Sequence, residues 1–125
     1  MNTRSIETDV EAIDEILRQY PWLDMSIVND DGRDVTIAGS ISESNPFDIQ
    51  IVFVNVQCIA ARRDWRTDTS DRVLKEVTDD AEFNRSFHVE QGFRVFELVS
   101  EDTESNMRFA AQGVRLDVHR LPPES

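Results

Sequence analysis

One cysteine, one lysine, four glycines and two histidines are spread over 125 residues, and each shortage excludes something. A single cysteine, Cys58, cannot form an internal disulfide or build a thiolate zinc site. The glycines, Gly32, Gly39, Gly92 and Gly113, stand singly, so no loop of them cradles a phosphate, which argues against a nucleotide-binding fold. His88 and His119 belong to no H-x-x-x-H pair, so no helical metal motif is present. No apolar run nears the length of a membrane span, and the opening MNTRSIETD lacks the apolar segment of a signal peptide. A cytoplasmic location with no membrane partner is the expectation.

What is abundant is negative charge. Thirteen basic residues face twenty-five acidic ones, a net charge of −12. That balance repels nucleic acid and anionic lipid, and it suits either a basic protein partner or simple solubility. All of the basic residues except Lys75 are arginines, a pattern that salt adaptation and codon bias both produce. The apolar fraction of 39% is ordinary for a globular chain, and 125 residues form one domain, 1–125, with a single core.

The densest apolar stretch, Asp48 to Ala61 (DIQIVFVNVQCIAA), reads as a central strand. Its β-branched and aromatic residues occupy both alternation phases, which predicts cover on both faces. Before it, Thr8-Asp9-Val10-Glu11 fits a capping box. Ile6, Val10, Ile13, Leu17 and Tyr20 then make the apolar stripe of a helix that Pro21 stops. Leu23–Val28 and Val35–Ile41 alternate as two strands around the turn Asn29-Asp30-Asp31-Gly32, a hairpin. Ser42–Phe47 is a polar loop.

Arg62–Asp71 is polar and turn-rich with Trp65 in its middle, and Arg72–Val77 reads equally as a strand or a helical turn. Asp79–Phe87 predicts a short helix capped by Asp79 or Asp80, and Gln91-Gly92 a turn. Phe93–Ser100 is a covered strand, and Glu101–Asn106 an acidic hairpin loop. Met107–Leu121 is the last strand, whose apolar phase slips by one residue at Gly113, the mark of a β-bulge.

Convergent titratable groups are scarce. Cys58 in an apolar strand is a small buried side chain rather than a nucleophile. Asp30, Asp31 and Asp34 lack the oxygen spacing of a calcium loop, and a hairpin turn explains them better. Glu97, between Phe96 and Leu98, is the one carboxylate in apolar surroundings, with an outward position on an edge strand as its plain explanation. Arg62, Arg63, Trp65 and Arg66 form the one basic, aromatic cluster. Trp and Arg are common at interface hot spots, but Trp65 covering the sheet end while the arginines pair with acids is the favoured explanation. No catalytic, cofactor-binding or metal-ligating residue is assigned, and no cofactor is expected.

Three segments together resemble a group of small bacterial proteins that includes immunity proteins of polymorphic toxin systems. They are W-L-D-x-x-I-V at Trp22–Val28, I-x-I-V-F-x-N-V-x-C at Ile49–Cys58 with the Trp-bearing loop after it, and the late hairpin RVFELV with MRFAAQGVRLDV. In that group the comparable parts read F-x-x-V and F-x-A, matched here by Phe53–Val56 and Phe109–Ala111. Two departures stand out: Leu23-Asp24 replaces a histidine-aspartate pair, and Lys75–His88 matches nothing in the pattern. The resemblance implies a non-enzymatic β-rich fold that blocks a cognate toxin, and it carries over no functional residue.

The expectation is therefore an α+β domain: an antiparallel twisted sheet of five or six strands with the N-terminal helix on one face. Its expected role is a non-enzymatic protein-binding module, concretely an inhibitor of a basic toxin. The candidate contacts are Asp30, Asp31, Trp65, Glu101, Asp102 and Glu104. Two other readings stay open: a small ligand-binding or hydrolytic domain using His88 or His119 with a carboxylate, and a structural subunit of a larger assembly. A second copy of the chain is an admissible partner.

Overall fold

The computed structural model describes residues 5–42, 47–78, 81–101 and 106–123. In chain order the elements are β1 (Ser5–Glu7), α1 (Val10–Leu17), β2 (Leu23–Asp30), β3 (Val35–Ser40) and β4 (Ile49–Ala60). They continue with β5 (Asp64–Thr67), β6 (Leu74–Val77), α2 (Ala81–Phe87), β7 (Arg94–Leu98) and β8 (Met107–Val118). Seven strands follow one antiparallel path, β5-β2-β3-β4-β8-β7-β6, and β1 pairs with the C-terminal end of β8. The antiparallel α+β architecture agrees with the sequence, but five or six strands is too few. The expected loop at Arg62–Asp71 contains β5, and the undecided Arg72–Val77 contains β6. A strand of four residues shows only two alternations, too short a run for periodicity to register.

The path curls into a half-barrel whose ends approach one another. Glu101 N–H donates to the Arg66 carbonyl at 2.8 Å, and Thr67 Oγ1 donates to the Val99 carbonyl at 3.2 Å. β4 lies in the middle, between β3 and β8. Register places Met25, Gly39, Ile49 and Val118 in one inward row and Ile27, Ile37, Ile51 and Leu116 in the next. Gly39 is there because the row is tight: a Cβ would stand 2.7 Å from Ile49 Cδ1 and 3.0 Å from Met25 Sδ. Phe53 stacks on Phe109 at 4.3 Å between centroids and tilts against Phe96, filling the middle of the cup.

α1 closes the open side with Val10, Ile13 and Leu17, all in the same apolar cluster as the inward rows. Its N-cap is Asp9, one residue later than the sequence suggests, with the carboxylate accepting from Ala12 N–H at 2.9 Å. The reason lies just upstream. Glu7 Oε1 accepts from the N–H groups of both Thr8 and Asp9, turning the chain out of β1 into the helix. Ile6 accordingly belongs to β1, opposite Asp117, and not to the helical stripe. Tyr20 lies beyond the helix C-cap, Arg18, and is 2% exposed. Its hydroxyl donates to the Arg120 carbonyl at 2.6 Å.

Asp14 fastens α1 to the start of β6. Its Oδ1 accepts from Val73 N–H at 2.7 Å and Leu74 N–H at 3.0 Å, and its Oδ2 lies 3.5 Å from Arg72 Nε. Arg72 also grips Glu11 with two hydrogen bonds, at 2.7 and 2.8 Å. A smaller apolar cluster sits on the outer face, where Phe83 of α2 packs with Val95, Ala110 and Cys58.

Two further expectations are revised. Only the first part of β4 is covered on both faces: Ile51, Val52 and Phe53 are buried, whereas the residues from Val54 onward are half-exposed. On β8 the buried phase does change across Gln112-Gly113, from Met107, Phe109 and Ala111 to Val114, Leu116 and Val118. The irregular pairing, however, falls on β4 between Val56 and Cys58, where Asn55 adopts φ 53°. The β2–β3 turn holds that kink: Asp34 Oδ1 accepts from Asn55 N–H at 2.9 Å, and the Arg33 carbonyl from Val56 N–H at 2.6 Å.

Candidate functional site

The titratable groups that sequence reasoning weighed for chemistry are mostly occupied in holding the fold. His88 ends α2 at φ 49°, and its carbonyl accepts from Gln57 Nε2 at 2.7 Å. His119 Nε2 lies 3.1 Å from Gln50 Oε1, with its ring edge-on to Phe47 at 4.8 Å. Neither histidine lines the depressions beside β5, α1 and β6, which gather other side chains. Among the described residues no group of three or more His, Cys, Asp or Glu side chains is placed to hold a metal ion. Cys58 is half-buried on the outer face, and burial pushes its thiol above the ordinary value.

Glu97 is not on an edge strand. β6 lies outside β7, and Glu97 is 3% exposed, directly across from Lys75 on one side and Arg108 on the other. Its carboxylate takes both cations, at 3.1 and 3.0 Å, and the Arg108 guanidinium lies over the Phe83 ring. A buried carboxylate with two cations is a compensated charge, which gives this row a structural role.

Of the candidate contacts, Asp30 and Asp31 are exposed at the β2–β3 turn. Asp30 Oδ1 accepts from Gly32 N–H at 3.0 Å, and Asp31 Oδ1 from Arg33 and Asp34 N–H at 2.9 and 2.7 Å. The hydrogen bond from Asp34, then that from Arg33, holds the Asp31 carboxyl below its ordinary range. Trp65 is 6% exposed and belongs to the main core, so its ring offers little surface to a partner. Among the described residues its buried indole N–H has no hydrogen-bond acceptor. Glu101 is exposed; Asp102 and Glu104 lie outside the described residues.

Trp65 and Glu101 nevertheless come together. With Asp24, Ser26, Arg62, Asp64, Arg66 and Ser100 they line an open depression of about 750 Å³ where β5 faces the segment following β7. Arg66 lies against Asp24 at 2.7 Å, a cross-strand pair that register sets directly opposite. Arg62 and Arg63 are exposed, and among the described residues neither forms an ion pair. Asp30 and Asp31 lie at the far end of β2 and take no part in this depression.

Sequence reasoning missed Asp24 and Asp64 here. The available signal was the alternation Asp64, Trp65, Arg66, Thr67, whose buried members face Met25 and Leu23 across the β2 pairing. No family model, curated protein or solved structure matches the chain.

Proposed function

We propose that this chain is a non-enzymatic protein-binding module whose acidic exterior docks a basic partner, concretely an inhibitor of the immunity type that covers a toxin's working surface. The observation that carries the reading is the filled cup: the concave side of the half-barrel is occupied by the main apolar cluster, so recognition falls to the outside. The charge distribution supports it. Among the described residues, eight cationic side chains lie within 4.0 Å of a carboxylate of the same chain, out of thirteen in the sequence. Internal pairing therefore uses up most of the positive charge and leaves the acidic surplus outside, where it steers a cationic partner.

The test begins by purifying the tagged protein from its native lysate at low and high salt and identifying what co-elutes. Asp30→Asn, Asp31→Asn and Glu101→Gln are then combined, keeping an acceptor at each position. Association with the recovered partner is expected to slow by about tenfold at low ionic strength, with a flatter dependence on salt. Association kinetics indistinguishable from those of the parent protein at every salt concentration would end the reading.

A further inference from the structure

We infer that the exposed edge of β5 is a docking edge for an extended basic segment of a partner protein, which adds to the sheet as a further strand beside Asp64. The inference rests on the protein-binding reading and names where and how the partner is met.

The two ends of the sheet are treated differently. At the β6 end the outward backbone groups of Leu74 are consumed, its N–H by Asp14 and its carbonyl by Arg72 Nε at 2.7 Å, and the carboxylate of Glu76, the next outward residue, is held by Arg94 at 2.5 Å. At the β5 end, among the described residues, those of Asp64 have no such partner. The Arg63 carbonyl bonds inward to Ile27 N–H at 2.9 Å, and pairing continues through Met25–Trp65 and Leu23–Thr67. Antiparallel alternation then points the N–H and carbonyl of Asp64 away from β2. The Arg66 carbonyl, on the same side, is met by Glu101 N–H. Among the described residues Asp64 has no backbone partner beyond its pairing with β2. Asp64 itself lines the depression of about 750 Å³.

An uncovered edge is a template for another strand, and proteins that do not use one normally blunt it. The side chains around this one select the occupant. Asp64 and Glu101 are exposed and, among the described residues, free of ion pairs, while Arg66 is already neutralised by Asp24. Two carboxylates without an ion pair among the described residues, beside the outward backbone of Asp64, favour an extended segment with cationic side chains on one alternation phase.

The probe is a short blocked peptide of alternating arginine and valine, titrated into isotope-labelled protein and followed by amide chemical shifts. Shifts centred on Asp64 and Arg66 are expected, together with slowed hydrogen exchange at Asp64. Asp64→Pro removes the outward N–H at the first residue of an edge strand, where proline is tolerated. It should weaken binding by about tenfold or more, whereas Asp64→Asn should cost only a few-fold, since most affinity in strand addition comes from the main chain. If Asp64→Pro disturbs the β2 and β3 amides, the exchange protection at Asp64 in the parent protein decides instead. Shifts gathered on the β2–β3 turn, no shift at about 1 mM peptide, or equal binding by Asp64→Pro would overturn the inference. Those results would leave the wider reading standing, because that reading falls only if the charge variants leave partner association unchanged.

Discussion

Asp14 is the residue whose removal should cost this fold most for the fewest atoms. Its side chain is 3% exposed, and the two donors it satisfies belong to Val73 and Leu74, both fully buried. Water cannot replace the carboxylate there without opening the seam between α1 and β6. A hydrogen bond to a charged group contributes about 1.5–3 kcal/mol, and a buried donor left unpaired costs about 1–3 kcal/mol. Asp14→Ala removes the acceptor of both bonds and a charge beside Arg72, so a loss of about 3–5 kcal/mol is expected. That is a large part of the roughly 5–15 kcal/mol that holds a domain together. Asp14→Asn keeps one acceptor oxygen and should lose about 1–2 kcal/mol. Urea denaturation measures both: with a slope of about 1.5 kcal/mol per molar, the alanine midpoint falls by about 2–3 M. Hydrogen exchange adds a local readout, since the Val73 and Leu74 amides should exchange faster in either variant. An alanine variant within about 1 kcal/mol of the parent, with those two amides still protected, would refute the claim that this carboxylate is the clasp.

Two further outcomes are expected. Tyr20 is the only tyrosine, so its ionisation is visible by ultraviolet absorbance; burial, then the nearby Asp48 carboxylate, pushes the phenol up to about 12. Because the folded value lies above the ordinary one near 10, this contribution to stability is complete below about pH 10 and is lost as pH rises through about 12; a midpoint near 10 in the folded protein would contradict it. Gly39→Ala should destabilise by about 1–3 kcal/mol through overpacking against Ile49 and Met25, as read by the thermal midpoint; an unchanged midpoint would mean the inward row has slack.

The interior was legible wherever a pattern ran long enough. Asp48–Ala61 announced the central strand by its density of β-branched and aromatic residues, and Leu23–Val28 with Val35–Ile41 announced the hairpin because alternation over five or more residues is hard to satisfy otherwise. The stripe Val10, Ile13, Leu17 announced α1 for the same reason. The depression beside β5 was much less legible. Trp65 stands among the candidate contacts because tryptophan is common at interface hot spots, yet it is spent on the core, while Asp24 and Asp64, two ordinary members of an acidic chain, line the rim. Nothing local distinguishes a carboxylate that caps a turn, such as Asp31, from one that clasps a seam, such as Asp14, or one beside an open edge, such as Asp64.

By itself, then, the sequence determined the class of the fold, the central strand, the helix and the negative exterior, all of which follow from composition and from short-range periodicity. Tertiary structure alone decided that Ile6 joins β8 as a strand, that four residues around Trp65 become an edge, and that Glu97 lies between two cations. Each of those outcomes depends on a partner distant in the chain: β8 for Ile6, β2 for Trp65, and β6 and β8 for Glu97. The physical reason is that backbone pairing and ion pairing are satisfied between segments, and a strand of three or four residues acquires its identity only from the neighbour that completes its hydrogen bonds.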